Sequence, residues 1–177
     1  MDPYASPAIE TKQEDNRSTN DENNKLNGIG GWLILVAIGI VISPIRVAMT
    51  ILTTYPSIFA SGTWSQLTTP GSEHYNVLWA PIIIGEIVIN SLQLLACLYL
   101  AYLFFAKKAT FPYWYIGLSL FVTAFIVVDA FAVKLVLPEA PMFDLDTLKE
   151  LVRSLISCMI WIPYMLSSRR VQATFTN

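Results

Sequence analysis

One histidine, His74, and two cysteines, Cys97 and Cys158, are all that a chain of 177 residues offers to most metal and redox chemistry. A single histidine excludes an H-E-x-x-H zinc site and a bis-histidine haem. His74 falls in a polar loop, with no nucleophile placed beside it, so a Ser-His hydrolase has no support. The cysteines are far apart, without a C-x-x-C pair, and read as small buried hydrophobes. A phosphate-binding glycine loop is also missing. The GIGG stretch at Gly28 to Gly31 precedes an apolar run and has no P-loop lysine pattern. These absences predict no catalytic residue, no metal and no cofactor.

Charge is scarce too. Asp, Glu, Lys and Arg make up 14% of the chain, against about 25% in an ordinary soluble domain. Hydrophobic residues make up 54% and mean hydropathy is +0.52. The net charge of −2 offers nothing to a nucleic acid. The composition predicts an all-α integral membrane protein whose principal partner is the lipid bilayer.

Four long apolar segments carry that prediction. They run from about Trp32 to Thr54, Leu78 to Phe105, Phe111 to Leu137 and Leu148 to Leu166. Each reaches or approaches the roughly 20 residues that cross a hydrocarbon core about 30 Å thick. Pro81 and Pro112 fall in opening turns, where a missing N–H costs least. Thr147 and Glu150 have capping-box spacing, which places the fourth start near Leu148. Trp32, Tyr55, Trp79, Trp114, Tyr115 and Tyr164 lie near span ends, as in an interfacial belt. The expected fold is a four-transmembrane-helix bundle over residues 28–177.

Lys and Arg set the orientation. Lys107 and Lys108 lie between the second and third spans, and Arg169 and Arg170 follow the fourth. The stretch from Pro56 to Val77 has neither residue type. The stretch from Pro138 to Thr147 has none either, although Lys134 and Lys149 flank it. The positive-inside rule puts both termini in the cytoplasm. Residues Met1 to Asn27 are rich in Asn, Asp, Glu, Ser and Thr, which predicts a disordered cytoplasmic tail. No apolar stretch of signal-peptide type follows their start.

The expected spans carry a charged layer at similar depth, away from their ends: Arg46, Glu86, Asp129 and Arg153. A charge there costs about 2.5–3.5 kcal/mol even on the lenient insertion scale, so the quartet is a paired structural layer or a functional site. Helical spacing extends it. Glu86, Asn90, Gln93 and Cys97 share one face of the second span; Gly39, Ser43, Arg46, Thr50 and Thr53 share one face of the first. In the fourth, Glu150, Ser154, Ser157 and Trp161 form a stripe with Arg153 on its edge. In the third, Ser119 and Thr123 fall off the face of Asp129. Pro44 removes the donor to the Ile40 carbonyl and predicts a kink beside Arg46. The pairing expected across the layer is Arg46 with Glu86 and Arg153 with Asp129, with the alternative pairing open.

The motifs GIGGWL, SPIR, LWAP, FDLDTLKELVRSLI and WIPYMLSSRRVQATF resemble the YdgK-like bacterial inner-membrane proteins, a domain-of-unknown-function family. The resemblance covers about Gly28 to Phe175. It implies a four-span bacterial plasma-membrane protein and transfers no activity or catalytic residue.

Two readings of function follow from the residues. In the first, a non-enzymatic bundle pairs its charges internally and associates with itself or another membrane protein. In the second, a small homo-oligomeric transporter or channel uses Glu86 or Asp129 as a proton or cation site. An enzyme acting at the outer face has no motif behind it.

Overall fold

The computed structural model describes residues 28–177; the expected disordered tail, 1–27, lies outside the described residues. Six helices and no strands occur among them. The long ones are α1 (Trp32–Ala60), α3 (Trp79–Phe105), α4 (Phe111–Val136) and α5 (Leu145–Ser167). Two short ones, α2 (Thr63–Thr68) and α6 (Arg169–Thr174), follow α1 and α5.

Three helices, α1, α3 and α4, are long and apolar enough to cross a membrane, with mean hydropathies of 2.3, 1.9 and 2.3. Their outward faces carry large exposed apolar side chains such as Leu52, Leu95 and Phe131. Such faces suit lipid, where hydroxyls must be satisfied within the protein. Ser43, Thr53, Ser91 and Ser119 each donate to the carbonyl four residues earlier in their own helix. The N-terminal turns of α5 differ, for they carry Asp146, Lys149, Glu150 and Arg153.

Two helix ends and one loop differ from expectation. Helix α1 continues through both Pro44 and Pro56 to Ala60, beyond the expected stop at Thr54. An internal proline forfeits only its own N–H and disturbs one carbonyl, so it does not oblige a helix to end. Helix α5 starts at Leu145, not near Leu148. Asp144 is its N-cap and accepts from the Thr147 N–H at 2.7 Å. Thr147 is thus the residue capped, not the cap, because Asp144-x-x-Thr147 wins over Thr147-x-x-Glu150. The stretch expected as loop from Pro56 to Val77 contains the end of α1 and all of α2.

The long helices pack in sequence, α1 on α3, α3 on α4 and α4 on α5, while α1 and α5 hardly touch. The buried core sits at one end of this arrangement. Leu33, Val36, Leu103, Phe104 and Phe111 meet Met165, Val171 and Phe175 there. Phe175 stacks on Phe111 at 4.5 Å and tilts against Phe104 at 5.6 Å. The last residues close over the α3–α4 turn: Ala109 N–H donates to the Asn177 carbonyl at 2.8 Å, and Asn177 N–H to Lys107 at 3.2 Å. One end is plugged by aromatics.

Candidate functional site: a polar cavity within the helices

Beyond the aromatic plug lies a cavity of about 630 Å³. Ligand sites in proteins fall between about 300 and 1,000 Å³. All six residues of the expected polar network line it: Arg46, Glu86, Asn90, Gln93, Asp129 and Arg153. The helical stripes explain how. On α1 the polar face is at Gly39, Ser43, Arg46 and Thr50; on α5 it is at Glu150, Arg153, Ser154 and Ser157. Both faces line the cavity, where their side chains stay exposed or half-buried.

Helix α4 corrects the sequence reading. Ser119 and Asp129 both line the cavity, with Val122 and Ile126 between them. Steps of three and four residues keep side chains within one face about 100° wide, so two residues ten apart still share it. Thr123 faces α5 instead, bonded to Ser154 Oγ at 2.5 Å and to Cys158 Sγ at 3.4 Å. Tyr55 is a further cavity residue that spacing alone did not select. It is buried, and its phenol oxygen accepts from Asn90 Nδ2 at 2.7 Å. The same amide reaches the Glu86 backbone carbonyl at 2.9 Å.

The expected Arg–carboxylate pairs do not form. Among the described residues the single ion pair within 4.0 Å is Lys149 with Asp146 at 2.9 Å, an exposed pair on the first turn of α5. Glu86 and Asp129, on the neighbouring helices α3 and α4, line the same cavity. Arg46 and Arg153 stand on the outer helices α1 and α5, which hardly touch. The cavity therefore holds both basic and acidic groups.

The GIGG and RRVQATF stretches meet at the plugged end. Gly28 bonds with Thr174, and an added Cβ at Gly30 would stand 2.6 Å from Arg170 Nη1. Stretches from opposite ends of the sequence thus form one unit, and a family relationship should cover both. The sequence profile of DUF2569, described as a protein of unknown function, matches residues 26–176. The chain belongs to the DUF2569 family. No curated protein and no solved structure matches it. The DUF2569 match takes in the plug, the four long helices and every cavity residue named above. Among the described residues of this DUF2569 protein, no three His, Cys, Asp or Glu side chains cluster as metal ligands.

Proposed function

We propose that this is a four-span, non-enzymatic membrane protein, with α5 as the fourth span, that binds a small polar solute in the cavity and couples its movement to a proton held by Glu86 and Asp129. The observation that carries this reading is that two carboxyls on neighbouring helices, Glu86 and Asp129, line a ligand-sized cavity. Paired acids in apolar helices mark proton and cation paths. The plug at one end supports a cavity loaded from the other, as alternating access requires.

Orientation follows from the cations. Lys107, Lys108, Arg169 and Arg170 belong to the plugged end, which supports cytoplasmic termini in a bacterial inner membrane. The two lysines toward the other end are occupied locally. Lys134 donates to the Pro138 carbonyl and, at 2.7 Å, to the Ala140 carbonyl, and Lys149 pairs with Asp146. The reading of a bundle that associates through lipid-facing surfaces, with its charges paired inside, loses the Arg–carboxylate pairs on which it rested.

The test uses the full chain in proteoliposomes with a trapped pH dye. An imposed pH gradient should dissipate faster than in empty vesicles, and Glu86→Gln should abolish the difference while the protein keeps its elution volume. Gradients that decay alike with and without the native protein, in the presence of candidate solutes, would exclude proton coupling.

A further inference from the structure

The charged side chains that line the cavity are Arg46 on α1, Glu86 on α3, Asp129 on α4, and Glu150 and Arg153 on α5. Basic and acidic groups share one cavity, yet no arginine there lies within 4.0 Å of a carboxylate among the described residues. A purely anionic ligand would meet the acids, and a purely cationic one would meet the arginines. A molecule that carries both charges on a short linker can meet groups of both signs with their complements.

We propose that the cavity takes a small zwitterion, its anionic group held by Arg46 and Arg153 and its ammonium by Glu86 and Asp129. The inference rests on the solute-binding reading above but not on proton coupling. Guanidinium groups suit the anion, since they offer paired donors to a carboxylate or phosphate. Carboxyl oxygens suit the ammonium, which brings three donors and no acceptor. Asn90 and Gln93, on the same face of α3 as Glu86, add neutral donors and acceptors between the two ends. The gap between α1 and α5 gives a second approach, from the bilayer, so the zwitterion arrives either free in water or as a lipid headgroup.

The experiment measures the melting temperature of the purified full chain in detergent with defined probes. O-phosphoethanolamine and L-alanine are the soluble zwitterions, inorganic phosphate and ethanolamine are the half-molecules, and phosphatidylethanolamine in nanodiscs is the lipid form. A zwitterion, soluble or lipid, should stabilise the protein, with each half-molecule weaker by at least about tenfold in apparent affinity. Stabilisation by the lipid alone assigns the source to the bilayer; stabilisation by a soluble zwitterion assigns it to water. Arg46→Gln and Glu86→Gln should each weaken the effect. Phosphate acting as strongly as O-phosphoethanolamine would overturn the proposal, and so would the absence of stabilisation by every zwitterion. The comparison of whole and half probes uses the native chain, so it decides the matter even where a variant fails to fold. Zwitterion binding without proton flux would retain this inference and remove the coupling.

Discussion

Thr174 and Gly28 bond to each other twice. The Gly28 N–H donates to Thr174 Oγ1, and the Thr174 hydroxyl donates back to the Gly28 carbonyl, both at 3.2 Å. Thr174 is 1% exposed and Gly28 is half-buried, so water has limited access to either bond. Thr174→Val keeps the shape and removes the protein partner of the half-buried Gly28 N–H and carbonyl. The expected loss is about 1–3 kcal/mol. Thermal unfolding in detergent checks it, with Thr174→Ser retaining most of the stability because it keeps the hydroxyl. Equal stability of the valine and serine variants would show that the clasp contributes nothing.

The same plug predicts a larger effect at Phe175. Its ring is 5% exposed and touches both Phe104 and Phe111. Removing a buried phenyl ring costs about 3–5 kcal/mol. Phe175→Ala should lower the melting temperature more than any single change on the lipid-facing side, for instance Leu52→Ala, where the side chain is 71% exposed. Comparable losses at both positions would mean that the plug is not the core.

These contacts mark where reading the sequence stops. Long apolar runs located α1, α3 and α4, because each run needs only local composition. Polar spacing put Arg46, Glu86, Asn90 and Gln93 on inward faces, again a local property. Pairing across the bundle was not legible. Spacing fixes the face of a residue but not its distance from a residue on another helix, so the expected Arg46–Glu86 and Arg153–Asp129 pairs do not form within 4.0 Å. The clasp was also out of reach, since Gly28 and Thr174 lie 146 residues apart. The start of α5 failed for a different reason: two overlapping capping patterns compete, and only the Asp144–Thr147 hydrogen bond decides between them.

That cap is sensitive to acid. The Thr147 side chain and backbone N–H bond to Asp144 and hold its carboxyl below the usual carboxylate range. A carboxyl depressed by folding stabilises the protein above its unfolded value, and this contribution fades as pH falls through the folded value. Fraying of α5 should therefore begin below about pH 4. Circular dichroism of the native chain and of Asp144→Ala should converge in acid and differ at neutral pH. A constant difference across the range would show that the ionised carboxylate is not the cap.

Topology separates three crossings from four. With α5 as a span, a reporter fused after Asn177 and one inserted near His74 lie on opposite sides, and one inserted near Glu139 lies with His74. Signals from the C-terminus and from Glu139 on one side would leave α5 lying outside the bilayer and remove the proposed fourth span.

Cys158 reports whether the cavity holds water. Its thiol is partly exposed, lines the cavity and bonds only weakly to Thr123 at 3.4 Å. Cys97 lines the same cavity and is 7% exposed. A small membrane-impermeant thiosulfonate added from the side of His74 should therefore modify Cys158 before Cys97. Cys158→Ala should remove the fast phase and leave the slow one, and a bound zwitterion should slow the fast phase by occupying the route. Labelling of Cys158 that needs detergent denaturation would mean that the charged faces are sealed from water. In that case Arg46 and Arg153 would have to be neutralised within the protein, and solute binding would be excluded along with proton coupling.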